Sequence, residues 1–280
     1  MVLDKISEYL CFEGQQQRFS HYSETLKCKM HFSIYLPPEA NLGSVPVVYW
    51  LSGLTCTDEN FVQKAGAQRY ASELGIALVA PDTSPRGDNV PDDPLGEYDF
   101  GLGAGFYVNA TETPWSENYQ MYDYVSIELP RIIQENFHVD PGRESIMGHS
   151  MGGHGALITA LKNPGQYNSV SAFSPIVAPV QVPWGEKAFS QYLGQDKERW
   201  KEYDACELIM AGSRHLPMLV DQGEADEFLG VQLRTELLEL ACKEMNFEAT
   251  IRYQSGYDHS YFFISSLVGC HLRFHQRWLG

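Results

Sequence analysis

The feature that most constrains this chain is Gly148-His149-Ser150-Met151-Gly152-Gly153, set between a short strand-like stretch and a helix-like one. The residues Glu144 to Met147 read as a strand ending in Gly148. A helix is expected from about Gly152 to Leu161, stopped by Asn163-Pro164. A strand that becomes a helix within so few residues forces the central residue into a strained backbone conformation, and glycines on either side let the two elements approach. Such a turn lifts the Ser150 hydroxyl above a sheet edge and aims the first N–H groups of the helix at whatever reacts there. The bland alternative is a glycine-rich turn with a spectator serine. The strand-turn-helix context argues against it.

The surrounding pattern says what kind of sheet carries this turn. Ile6 to Phe12, Arg18 to Leu26 and Met30 to Leu36 read as an antiparallel meander, after which Val45 to Leu51 (VPVVYWL) is continuously apolar, as in a strand buried on both faces. From there strand and helix alternate: helix Ala65 to Leu74, strand Ile76 to Ala80, a helix from about Tyr119 to Phe137 that Pro130 should kink or split, and strand Ser169 to Phe173. Strand Met218 to Val220, helix Val231 to Met245, strand Ala249 to Tyr253 and a helix from about Tyr261 to Trp278 complete it. The pattern predicts one α/β domain over residues 1–280, with a mainly parallel central sheet, an antiparallel N-terminal meander and helices on both faces. A cap-like insertion with short helices is expected at about 175–212, and the irregular stretch from Asp82 to Asn118 is long enough to suggest function.

This arrangement resembles the α/β-hydrolase fold, in which the chain order is serine, then acid, then histidine. After the strand ending at Val220 the chain reads Asp221-Gln222-Gly223-Glu224-Ala225-Asp226, and after the next strand Gly256-Tyr257-Asp258-His259-Ser260. His259 is the expected base. Asp226 is preferred as its partner because a residue a few positions beyond the strand end can reach across to the histidine loop, whereas Asp221 is expected to tether the loop or cap local backbone N–H groups and Asp258 adjoins His259 too closely. His149 and His154 lie too near Ser150 in sequence to swing onto its hydroxyl. His271 and His275 have metal-ligand spacing on the last helix but lack the glutamate of an H-E-x-x-H motif, so a packed or solvated face is the better reading and no metal is expected. His21, His31, His138 and His215 lack catalytic context. The N–H groups of Met151 and of Leu54, in the loop Ser52 to Cys56, are the expected oxyanion donors, with Gly53 letting that loop turn inward. Cys56 is either a buried small apolar residue or part of the pocket wall, and the aromatic-rich stretches Tyr98 to Tyr107 and Pro183-Trp184-Gly185, with Trp184 a candidate pocket residue, either roof the site or belong to the core.

Charge and cysteine usage narrow the partners. With 20 Lys and Arg against 36 Asp and Glu the formal charge is −16, a repulsive field toward nucleic acid and anionic lipid, so neither is expected as a partner. The six cysteines form no C-x-x-C pair, Met1 to Gln17 lack a basic start followed by an apolar run, and no apolar stretch suggests a membrane span. A cytoplasmic enzyme without cofactor is the expectation.

Several motifs together resemble one family, the S-formylglutathione hydrolases, also called esterase D. They are Ser52-Gly53-Leu54-Thr55-Cys56-Thr57, Pro81-Asp82-Thr83-Ser84-Pro85-Arg86-Gly87, the stretch Asp99 to Tyr107, Gly148 to Gly155, Asp221-Gln222-Gly223 with Asp226, and Gly256 to Tyr261. The resemblance runs from near residue 5 to the C-terminus. It implies hydrolysis of S-formylglutathione to formate and glutathione in formaldehyde detoxification, activity on short-chain esters, a homodimer, the triad Ser150, Asp226 and His259, and a Cys56 that confers sensitivity to thiol reagents. Glutathione is anionic and the chain acidic, so a local cation such as Lys64 or Arg86 is expected at the pocket mouth. The rival readings are a general short-chain carboxylesterase or acyltransferase, and a catalytically silent binding protein on the same fold.

Overall fold

The computed structural model describes residues 2–280; Met1, the first residue of the stretch inspected for a leader, lies outside them. Nine strands form one sheet: β1 (Asp4–Cys11), β2 (Gly14–Ser23), β3 (Cys28–Leu36), β4 (Val45–Leu51), β5 (Ala77–Pro81), β6 (Val139–His149), β7 (Val170–Phe173), β8 (Met218–Gly223) and β9 (Thr250–Gln254). Their order is β1-β2-β3-β5-β4-β6-β7-β8-β9. The first three strands form the expected antiparallel meander, and β3 joins β5 antiparallel. Every other pairing is parallel.

The unbroken apolar run of β4 is two interleaved sets. Val47, Tyr49 and Leu51 pack into the core on one face of the sheet, Val48 and Trp50 into that on the other, as the period-two alternation of a strand requires. With β5 on one side and β6 on the other, neither face of β4 meets water, and all its residues are buried.

Helices cross between the strands: α1 (Asp58–Lys64) and α2 (Ala67–Leu74) after β4, α3 (Leu129–Asn136) before β6, α4 (Met151–Lys162) after β6, α5 (Pro183–Tyr192) and α6 (Ala205–Met210) between β7 and β8, α7 (Thr235–Glu244) after β8 and α8 (Tyr261–Leu279) after β9. The sequence suggests a single helix from Ala65 to Leu74, but helical structure begins at α1. Thr57 caps it, its hydroxyl accepting from the Glu59 N–H while the Asn60 side chain accepts from the Thr57 N–H, so Asn60 takes the place usually held by Glu or Gln in a capping box. Gly66, at φ 64°, then breaks α1 from α2. Pro130 neither ends nor divides the other long helix: residues 121–136 stay helical throughout, and a wide π turn at Tyr124–Glu128, directly before Pro130, marks where the i→i−4 ladder is interrupted. The helix expected from Val231 begins only at Thr235: Leu229–Leu233 forms a second π turn, and Arg234, at φ 53°, separates it from α7.

The parallel strands β4, β6, β7 and β8 all end on the same edge, at Leu51, His149, Phe173 and Gly223. Loops that follow strands at such an edge meet in one place. Every residue from Met151 to Leu161 is buried, because α4 is covered by the sheet on one side and by packed helices and loops on the other.

Candidate active site

β6 runs straight into α4 through Ser150, whose backbone sits at φ 57° and ψ −119°. Two glycines are obligatory there. A Cβ on Gly148 would lie 2.1 Å from the Gly152 carbonyl oxygen, and one on Gly152 would lie 1.9 Å from that of Leu51. The strain is held in place by hydrogen bonds from both sides: Ser150 N–H donates to Phe173 O (3.0 Å), and Ser150 O accepts from His154 N–H (3.0 Å) and Ile176 N–H (3.3 Å). Met151 N–H belongs to the first turn of α4, where no intrahelical acceptor exists.

The loop after β4 lies directly over this turn. A Cβ at Gly53 would stand 3.2 Å from the Ser150 Cβ, so glycine is needed for close approach. The sharp turn itself falls two residues later than the sequence suggests, at Thr55 with φ 68°. Thr55 N–H donates to Gly103 O (2.9 Å) and Cys56 N–H to Gly53 O (3.3 Å), fixing the peptide that carries the Leu54 N–H between them.

Asp226 lies three residues beyond the end of β8 and His259 between β9 and α8. His259 Nδ1 donates to Asp226 Oδ2 at 2.6 Å. The carboxylate is fully buried and held by the Phe228 N–H on Oδ1 (2.9 Å) and by Gln222 Nε2 on Oδ2 (3.4 Å). Gln222 is anchored in turn by the Thr235 hydroxyl (2.7 Å). The other two acids are occupied elsewhere. Asp258 accepts from the backbone and hydroxyl of Ser260 at the start of α8. Asp221 accepts from Arg252 Nε (2.7 Å), Gln254 Nε2 (2.8 Å) and His271 Nε2 (2.9 Å). Burial pushes the Asp221 carboxyl up, but the hydrogen bonds from His271 and Arg252 outweigh it and hold the group well below the usual carboxylate range.

Ser150, His149 and His259 line one cavity of about 310 Å³. The loop residues Gly53 to Cys56, with Asn60 and Lys64 of α1, form one wall; Tyr98, Trp184 and Phe228 form another; Ser260 and Tyr261 complete it. Trp184 packs on Phe228 (ring centroids 4.8 Å apart), and Phe228 meets the His259 ring edge to face at 5.1 Å. Of the aromatic-rich stretch expected to roof the site only Tyr98 lines it; Phe100, Phe106 and Tyr107 are core. Burial pushes the Cys56 thiol up, against the pull of Lys64, so at neutral pH it is a protonated thiol.

His149 has a place that its sequence position does not announce. Its ring lies 4.4 Å from that of His259, and burial above all holds it well below the ordinary imidazole range, so it is a neutral partner to the other ring. Phe228 and Asn60 were likewise invisible as wall residues; the only available signals were their places two residues after Asp226 and three after the cap Thr57.

A second serine, histidine and aspartate array lies in the interior. Ser169 and Ser171 bond the two nitrogens of His275 (2.8 Å each), and Ser171 also bonds His271, which reaches Asp221. All these side chains are buried, and His271 stacks on Phe173 at 3.7 Å. The metal-like spacing of His271 and His275 thus serves a sealed hydrogen-bond network that ties α8 to β7 and β8. It lines none of the cavity that holds Ser150.

The comparisons agree with this architecture. A family model described as a putative esterase matches residues 23–274. The structure of an S-formylglutathione hydrolase from Agrobacterium tumefaciens superposes with a TM-score of 0.97 at 52% identity, covering 99% of this chain and 100% of that one. Two more distant structures share the fold: a fluorophosphonate-binding serine hydrolase of Staphylococcus aureus (TM-score 0.75, 16% identity, 94% and 98% of the chains) and a ferulic acid esterase of Anaeromyces mucronatus (0.67, 19%, 95% and 91%). The fold is the α/β-hydrolase fold, and the chain belongs to the S-formylglutathione hydrolase family of esterases, which are serine hydrolases.

Proposed function

We propose that this chain hydrolyses S-formylglutathione to formate and glutathione, with Ser150 as nucleophile, His259 as base, Asp226 as its orienting acid, and the Leu54 and Met151 N–H groups as oxyanion donors. The observation that carries the reading is the 2.6 Å bond from His259 Nδ1 to the buried Asp226, with His259 and Ser150 on the wall of one cavity. The 52% identity to an S-formylglutathione hydrolase supports the substrate.

Because Nδ1–H donates to Asp226, the lone pair of His259 is on Nε2, the nitrogen that must take a proton. In the first step Nε2 takes the Ser150 proton as Oγ attacks the formyl carbon. The carbonyl electrons move to oxygen, where the two N–H groups stabilise them, and the C–S bond breaks as the tetrahedral centre collapses. The departing thiolate takes the proton from His259. Water then gives a proton to Nε2 and attacks the formyl ester, and collapse of that centre releases formate while the proton returns to Ser150 Oγ. A thiolate leaves without much acid help, so stabilising the oxyanion dominates the barrier.

Cys56 and Trp184 bound the substrate space in this reading, and the segment from about 175 to 212 acts as a cap because it supplies Trp184 to the wall. The same reading puts the reaction in formaldehyde catabolism, in a cytoplasmic homodimer; its free cysteines suit a reducing compartment. The test is to compare kcat/KM for S-formylglutathione with that for p-nitrophenyl esters of increasing acyl length. The thioester should be preferred and activity should fall as the acyl chain grows. Preference for long acyl esters would instead make the chain a general carboxylesterase.

A further inference from the structure

We propose that Lys64 and Asn60, one turn apart on α1, form a carboxylate-binding subsite at the cavity mouth that holds a carboxylate of the leaving group; this deepens the hydrolase reading and rests on it. In a chain with 36 acidic residues, no Asp or Glu among the described residues lines the cavity, and Lys64 is the one Lys or Arg among them that does. A single cation in an otherwise uncharged wall marks where an anionic group is favoured.

The neighbouring charges are already engaged. α1 also carries Asp58 and Glu59, and both pair with Arg18, at 2.8 and 2.9 Å. Arg86, the other expected cation, spends its guanidinium on Asp82 (2.9 and 3.0 Å) and on the Cys56 carbonyl (3.2 Å). Lys187 is held by Glu97 and Asp99. Lys64, exposed at the mouth, has no carboxylate partner among the described residues, and its ammonium lies 5.5 Å from the centroid of the Tyr261 ring, also part of the wall.

Asn60 supplies the second donor. Its Oδ1 accepts from the Thr57 N–H (2.9 Å) and hydroxyl (3.3 Å), which fixes the orientation of the amide and leaves Nδ2 as the end available to a ligand. Residues four apart on a helix share a face, so the amide and the ammonium stand together. Glutathione carries two carboxylates beyond its sulfur. When the thioester carbon is at Ser150, its peptide arms extend toward the mouth where this pair waits. A purely structural Lys64 would only complement the C-terminal end of α1 and the Tyr261 face, and would not distinguish one substrate from another.

The test compares wild type with Lys64→Gln, Lys64→Glu and Lys64→Arg on S-formylglutathione and on S-formyl-N-acetylcysteamine, a thioester without carboxylates. The expected result is that Lys64→Gln lowers the ratio of kcat/KM for the two substrates by about two- to fivefold through KM, the range for one exposed, partly screened charge contact. Lys64→Glu should lower it further and Lys64→Arg restore most of it, and added salt should shrink the wild-type preference. An unchanged ratio in Lys64→Gln, or equal losses on both thioesters, overturns the subsite and leaves the hydrolase reading intact. A wild-type enzyme that does not hydrolyse S-formylglutathione overturns both.

Discussion

Gly53 rests against Ser150 so closely that a methyl group on residue 53 would lie 3.2 Å from the Ser150 Cβ and 3.3 Å from the His149 carbonyl oxygen. The loop carrying Leu54 and the turn carrying Met151 are therefore held at one fixed spacing. Gly53→Ala must push the loop outward by a few tenths of an ångström and displace the Leu54 N–H, the proposed oxyanion donor. The expected loss in kcat is about tenfold to a hundredfold, with KM and thermal stability little changed. Steady-state kinetics beside thermal melts check this; full activity in Gly53→Ala would mean that the Leu54 N–H plays no part.

Two aspartates five positions apart should respond in opposite ways to the same substitution. Asp226→Asn keeps shape but removes the acceptor that fixes the His259 tautomer, so kcat is expected to fall about 10³- to 10⁴-fold with a modest change in melting temperature. Asp221→Asn takes the carboxylate from the partly exposed Arg252 and from the buried His271 ring. It should destabilise the fold by about 1–3 kcal/mol while folded enzyme keeps most of its kcat. Urea melts and kinetics on both variants separate the roles.

Buried histidines set the acid limit of stability. Burial lowers His154 to about 4 and holds His149 and His275 well below the ordinary value; it also lowers His271. These rings stay neutral in the folded chain but gain protons in the unfolded chain below about pH 6.5. The contribution of these rings is therefore full above that value and is lost as the pH drops from it toward the folded values, while the buried Asp204 carboxyl, raised by burial to about 6, returns part of the loss between about pH 6 and 4. For His154 the window spans about 6.5 to 4 and its contribution is on the order of 3 kcal/mol. Melting temperatures should be flat from pH 7 to 8 and fall steadily below 6.5. A maximum near pH 5 would contradict this.

Much of this fold was legible because its signals are local and strong. The apolar run at β4 and the glycine pair around Ser150 each follow from sterics that nearby residues decide, although β6 starts earlier than Glu144, at Val139, and runs through Gly148 to His149. What escaped depends on contacts between distant segments. Asn60 in the capping box hid the start of α1, and the packing of His149 on His259 joins β6 to a loop more than a hundred residues later. The pair His271 and His275 reads as a possible metal site from spacing alone. Only the approach of Ser169, Ser171 and Asp221 from two other strands shows what the rings bind.

The most direct test of Ser150 as nucleophile is to treat the protein with a fluorophosphonate and map the adduct by peptide mass spectrometry, because the interior holds a second serine, histidine and aspartate array of similar make-up. A single adduct on Ser150, absent from Ser150→Ala together with thioester turnover, is the expected result. An adduct on Ser171 or any other serine, or undiminished turnover by Ser150→Ala, would contradict the assignment.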